Sequence, residues 1–214
     1  NIGNAHYFLQ QYPEALENYL RSAELKEKQG NKRGLAAPYD NIGNVYFDLL
    51  DYKKALEFYD KALKLRIEFG DKKGINTSYV NIGNVYFKQK NYKEALNYST
   101  KTLQYLNVYA SKNNMQAPTA QQLNLIDAKE LVLVIMKNKI ETLLAFFLNT
   151  KNQQYISSCL QNALVTDTLI TKMRNAQFGN ESKLYWRDET RDFYADAIEA
   201  SYLAGKPDMA FYFM

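Results

Sequence analysis

Residues 41–47 read NIGNVYF, and residues 81–87 read NIGNVYF again; residues 1–4 supply NIGN once more. The set Tyr12, Ala15, Leu16 recurs as Tyr52, Ala55, Leu56 and as Tyr92, Ala95, Leu96. Asn31-Lys32 and Asp71-Lys72 also match, the first between Gly30 and Gly34, the second between Gly70 and Gly74. Every one of these correspondences is an offset of 40 residues. Self-similarity at one fixed period means that a supersecondary unit is stacked on copies of itself, which excludes a closed globule. The fold class expected is therefore all-α: a right-handed solenoid of antiparallel helical hairpins, about five of them with the last degenerate.

Each unit resolves into two helices. Ile42, Gly43, Tyr46 and Phe47 have helical spacing, as do Ala55, Leu56, Tyr59, Ala62 and Leu63. Asp51 separates the two runs and suits an N-cap, and Asn91 with Glu94 forms a capping-box pattern. Pro13 falls in a first turn, where a missing N–H costs little, and Gly30 and Gly70 suit helix C-termini. Helices are expected at 1–10, 12–29, 34–50, 52–69, 74–90 and 92–110. Gly43 and Ala55, like Gly3 and Ala15, are expected to face each other at a close crossing, with Tyr52, Tyr59 and Leu63 filling the wider gaps beside it.

These residues resemble the tetratricopeptide repeat, whose pattern runs aromatic, Leu-Gly, Tyr, Ala, aromatic, small. Here it reads Tyr39, Ile42-Gly43, Tyr46, Ala55, Tyr59 and Ala62. In the next unit it reads Tyr79, Ile82-Gly83, Tyr86 and Ala95, with Ser99 and Thr102 in the last two places. The family's ordinary unit has about 34 residues, so this resembles a longer variant. The resemblance covers residues 1–105 and implies a peptide- or protein-binding superhelix.

After Leu106 the period fails. The organisation expected is a regular array over 1–110, a loop over 111–121, and degenerate hairpins over 122–214. A long helical pattern runs from Gln122 to Leu148, within which Lys137-Asn138-Lys139 reads as a solvated face or a break. Ile140, Leu143-Leu144 and Phe147, then Ile156, Leu160 and Ala163, align with the earlier hairpins. A turn is expected over Phe178–Glu181, then a helix over 182–204 with Trp186, Phe193, Ile198 and Tyr202 on its apolar side. Asp208-Met209-Ala210-Phe211 opens another helix. Residues 125–214 resemble the segment that precedes the caspase-like CHAT domain of bacterial repeat proteins. That resemblance implies an effector domain in cis, although related arrays precede histidine kinases instead.

Catalysis has no support in the sequence. His6 is the one histidine and takes the place of Tyr46 and Tyr86, a packing position. Cys159 is the one cysteine and lies in an apolar stretch, so neither a disulfide nor a cysteine zinc site can form within the chain. The glycines lack the Lys-Ser/Thr of a phosphate loop. No catalytic residue, cofactor or metal is expected. The 27 basic and 23 acidic residues are interspersed, and nucleic acid requires a concentrated basic footprint. The longest apolar runs, Leu131–Met136 and Leu143–Leu148, are too short to span a bilayer. A cytoplasmic segment is the expectation, with the periplasm as the alternative, because the chain opens inside a repeat.

Binding is the function the repeats favour. On the first helix of each unit, Asn41/Asn44 and Asn81/Asn84 sit one turn apart, with Asn4 as a partial copy. An amide both donates and accepts, so a ladder of them can hydrogen-bond an extended peptide in a concave groove. Phe47, Phe87 and Tyr7 follow on the same wall as apolar contacts, and Lys88 is the basic candidate of the row. Asp40 and Asp48 also fall on that row, which disfavours clamping a terminal carboxylate. The alternative role for the Asn residues is bonding between repeats. The resulting expectation is a protein-binding scaffold arm, against a structural spacer or a self-association module.

Overall fold

The computed structural model describes residues 2–106, 113–124, 128–176 and 180–214, with the side chains of 120, 124 and 180–185 left aside. The described residues are helix and connecting turn, without a strand. Two compact units divide the chain, residues 1–90 and 91–214.

The first unit contains α1 (Ile2–Phe8), α2 (Tyr12–Lys28), α3 (Ala36–Asp48), α4 (Tyr52–Glu68) and α5 (Lys72–Lys88). Each helix packs on the next in sequence, which is the stacking a repeat array requires. A 3₁₀ turn at Arg33–Leu35 precedes α3, whereas α5 begins directly at Lys72. Pro38 explains the difference. It has no N–H to donate into the preceding turn, so α3 cannot extend far before it. Its counterpart Ser78 imposes no such limit. Asp71 caps α5, its carboxylate accepting from the Gly74 N–H at 3.0 Å, so this helix starts earlier than the spacing predicts.

Two kinds of turn alternate. Between hairpins, Gly30 and Gly70 take φ of +65°, the left-handed conformation glycine adopts freely. In the turns that follow α1, α3 and α5 the same conformation falls on Gln10, Leu50 and Lys90, with φ of 58°, 61° and 59°. There the Asp51 N–H reaches back to the Tyr46 carbonyl at 2.9 Å, and Gln11 to His6 at 2.9 Å. Asp51 also caps α4, accepting from the Lys54 N–H at 3.1 Å.

The close crossing differs from the expected Gly–Ala pairing. A Cβ built on Gly43 would stand 2.6 Å from Cε1 of Tyr59, and one on Gly3 would stand 2.7 Å from Cε1 of Tyr19. The glycine therefore accommodates the tyrosine ring, not the alanine one turn earlier. Ala55, Tyr59 and Ala62 of α4 are at most 2% exposed, and Ile42 and Val45 of α3 are buried in a cluster with Ala15 and Tyr19 of α2.

The second unit contains α6 (Tyr92–Tyr105), α7 (Ala120–Asn124), α8 (Lys129–Thr150), α9 (Gln153–Ala176), α10 (Asn180–Leu203) and α11 (Pro207–Phe213). Asn91 caps α6 by accepting from the Glu94 N–H at 3.4 Å. Glu94 instead accepts from the Asn97 side chain at 3.2 Å, so one arm of the predicted box forms. The α8/α9 hairpin buries Ile140, Leu143, Leu144, Phe147, Ile156, Leu160 and Ala163, the residues expected there. The predicted helix from Gln122 is in fact two, α7 and α8, and residues 125–127 between them lie outside the described set. The ends of the predicted 92–110 helix and of the 111–121 loop, and the turn after Phe178, fall partly outside it too.

Lys137-Asn138-Lys139 is neither a break nor a solvated face. Lys139 is fully buried in mid-α8 and its Nζ donates to the Gln116 carbonyl, pinning the loop before α7. Burial pushes its pKa down, to about 7. Lys137 reaches α10, donating to the Glu189 carbonyl at 2.6 Å and to its carboxylate at 3.1 Å. Trp186 and Phe193 of α10 are buried as expected, but Tyr202 is 53% exposed.

Candidate functional site

The predicted groove residues lie on the first helices, and the structure separates them into two groups. The Tyr59 hydroxyl donates to Oδ1 of Asn44 at 2.7 Å, and Tyr19 donates to Oδ1 of Asn4 at 2.9 Å. Both bonds run within one hairpin, from its second helix to its first, and not between repeats. Burial raises the pKa of both tyrosines, which keeps them as neutral donors. Asn4 and Asn44 thus lock the ring that the adjacent glycine admits.

Asn41 is different. It is half-buried, and its amide makes no hydrogen bond with another described residue; the same holds for Asn81 one repeat on. A hollow of about 120 Å³ is lined by Asn4, Tyr7, Phe8, Tyr19, Asn41 and Asn44. It gathers four of the predicted residues from α1 and α3 around an uncommitted amide. A polar group at such a site normally finds a partner, in protein or solvent.

Tyr7 packs against the cluster of Ala15, Tyr19, Ile42 and Val45 that joins the first two repeats. Burial, and after it the nearby Asp48 carboxylate, moves the pKa of its hydroxyl well up. Its ring lies 5.8 Å from Phe8 and 6.2 Å from Tyr12. Phe47 is half-buried and packs on Tyr52 of its own hairpin, with centroids 5.9 Å apart. Phe87 is half-buried as well, and the exposed Lys88 places its Nζ 5.8 Å from that ring. Asn84 is half-buried and carries an interaction of its own. None of Phe47, Asn81, Asn84, Phe87 and Lys88 lines the hollow.

Asp40 does not face the groove row. It is 6% exposed and paired with Arg66 of α4, a residue the sequence reading did not single out. The available signal was the break in the repeat: Asp40 and Arg66 correspond to Val80 and Leu106.

The one histidine and the one cysteine lie in different units of the chain. Nδ1 of His6 bonds the Gln11 side chain at 2.7 Å, a contact at the exposed turn. Cys159 is buried, its sulfur 3.6 Å from the Ile140 carbonyl, and burial pushes its thiol up to about 12. At that value it is protonated and a poor nucleophile. Among the described residues no group of three or more His, Cys, Asp or Glu could hold a metal ion. None of the described helices is long and apolar enough to cross a membrane.

Comparison with known proteins agrees with this architecture. Residues 1–68 and residues 77–105 each match a family described as tetratricopeptide repeat. No curated protein matches the sequence. Among solved structures, the chain is similar to BtubC (BKLC) from P. vanneervenii, with a TM-score of 0.57 and 14% identity over 99% of this chain and 82% of that one. That likeness is one of fold. The TPR2AB domain of yeast Sti1, solved as a complex with pHSP90, gives a TM-score of 0.43 and 17% identity, over 99% of this chain and 84% of that one. Residues 1–68 and 77–105 are therefore tetratricopeptide repeats, a module that generally serves as a protein-interaction scaffold.

Proposed function

We propose that the chain is a non-catalytic scaffold arm that holds an extended peptide along the first helices of residues 1–90. The observation that carries this reading is the uncommitted Asn41 amide in a hollow shared with Asn4, Tyr7 and Asn44. An amide with a free donor and a free acceptor matches the alternating N–H and C=O of a peptide backbone. Asn81 repeats that chemistry one unit on, and Phe47, Phe87 and Lys88 supply flanking contacts. The arm serves an effector domain in cis of the CHAT kind; the support for this is the resemblance of residues 125–214 to the segment preceding such domains.

The test is selection of ligands from a random peptide library, followed by titration of a selected peptide against wild type and Asn41→Ala/Asn81→Ala. Affinity is expected to fall about tenfold, the loss of one or two hydrogen bonds, with an unchanged melting temperature. Equal affinity in the double variant sinks the proposal. Asn44→Ala is a poorer test, because it also removes the Tyr59 bond.

A second reading, self-association, rests on the hairpin tips. Phe8 is 79% exposed, and Leu9 and Leu50 are each 69% exposed. Light scattering over a wide concentration range distinguishes the two, since a constant monomer mass excludes this alternative.

A further inference from the structure

The first unit carries a second recess, on the side formed by its second helices. It is a cleft of about 470 Å³ between the end of α2, the turn after it, the start of α3 and the second half of α4. Leu35, Tyr39 and Leu65 form its floor, the first buried and the other two half-buried. Lys32, Lys61 and Lys64 stand exposed around it. Gly30 leaves the turn side open, since a Cβ there would meet nothing within 4 Å.

The charges are not balanced within the cleft. Of its two carboxylates, Glu27 accepts a hydrogen bond from the Tyr39 hydroxyl at 3.0 Å, and Glu68 forms no ion pair among the described residues. Lys61 pairs with Glu57 at 2.7 Å, but both partners are about half exposed, with side chains 44% and 57% accessible. Such a surface pair is worth little and yields readily to a competing carboxylate. Nζ of Lys61 also lies 4.6 Å from the Phe58 ring centroid. Among the described residues neither Lys32 nor Lys64 forms an ion pair. An apolar floor ringed by three ammonium groups and two carboxylates, a net positive lining, suits one kind of occupant. It must bring an aliphatic side chain to Leu35, Tyr39 and Leu65, and carboxylates to the lysines.

We infer that this cleft is a docking site for an acidic peptide segment bearing a central aliphatic side chain, separate from the asparagine-lined hollow. Charge complementarity selects the acidic partner and guides its approach, and the apolar floor fixes its register. A protein with both sites engages one segment on its first helices and another on its second helices.

The probe is a fluorescein-labelled peptide with a leucine flanked on each side by aspartates, titrated by anisotropy against the full chain. Binding is expected to weaken with added salt and to fall at least about tenfold in Lys61→Glu/Lys64→Glu. It should also fall when the peptide leucine is replaced by alanine, and should be unaffected by Asn41→Ala. Circular dichroism melts confirm that the variants, all at exposed or half-exposed positions, stay folded. The inference is overturned by any of four results: no binding of the acidic probe, equal binding of a lysine-flanked counterpart, tighter binding of a single-stranded oligonucleotide, or undiminished binding to the charge-reversed variant. Loss of binding in Asn41→Ala places the peptide in the other site and overturns it as well.

Discussion

The Arg66 guanidinium reaches back from α4 to the Asp40 carboxylate on α3, and the two side chains are 11% and 9% exposed. Nη1 of Arg66 also donates to the Gly74 carbonyl and the Ser78 hydroxyl of α5, each at 2.8 Å. One side chain thus ties three successive helices together. The tie is incomplete, because Oδ1 of Asp40 and Nε of Arg66 are buried without a hydrogen bond. Burial accordingly pushes the Asp40 carboxyl up, to about 6, against the pull of Arg66.

Breaking that pair from one side strands a buried charge. Asp40→Val or Arg66→Leu alone is expected to cost about 3–5 kcal/mol, while the double variant recovers most of the loss. The double change copies the repeat itself, which has Val80 and Leu106 at the corresponding positions. Urea denaturation of the four proteins measures the coupling, and additive losses would contradict it.

Gly43→Ala tests the glycine–tyrosine crossing. The new Cβ would lie 2.6 Å from the Tyr59 ring, whose position is held by the bond to Asn44. The ring must move, at an expected cost of about 1–3 kcal/mol. Tyr59→Phe keeps the ring and loses the bond, for about 1 kcal/mol. Thermal melts rank the two, and the glycine variant should be the less stable.

Leu50→Gly is expected to stabilise the protein. Leu50 is 69% exposed and holds φ of 61°, a conformation costing a branched residue about 1–2 kcal/mol. Against this stands the greater freedom of glycine in the unfolded chain, about 0.4–1 kcal/mol. A net gain of about 0–1.6 kcal/mol follows, read as a shift of the denaturation midpoint.

Asp196 should make the second unit less stable at neutral than at mildly acid pH. Burial, then the charges of Glu141, Glu199 and Asp192, push its carboxyl from 3.8 up to about 6. The folded state holds this proton more tightly than the unfolded state does. Its contribution is therefore fully present below the unfolded pKa and is lost as pH rises through about 6. Asp196→Asn is expected to gain about 1 kcal/mol at pH 7 after allowance for solvent screening, and nothing near pH 4. Denaturation at the two pH values gives the difference directly.

Much of the helix pattern is legible in the residues because helix starts and stops are local events. Asp51 caps α4, Gly30 and Gly70 turn the chain, and Pro13 enters a first turn, each within a few residues of the bond it makes. The repeat made the hairpin packing legible too, down to the buried Ile140 and Ala163 of the irregular hairpin. Side-chain partners were harder to read. Gly43 yields to Tyr59, 16 positions away, and Arg66 pairs across 26 positions, more than half a repeat. The left-handed turns at Gln10, Leu50 and Lys90 carry no glycine to announce them.

By itself, then, the forty-residue repeat determined an all-helical chain of stacked hairpins and placed its asparagines on the first helices, because periodic burial and capping depend on neighbours in sequence. Only the tertiary structure decided which asparagines remain available. Tyr59 and Tyr19 come from the facing helix to take Asn44 and Asn4, and no such hydroxyl reaches Asn41. That difference depends on which side chains meet across a crossing, and a linear spacing does not record it.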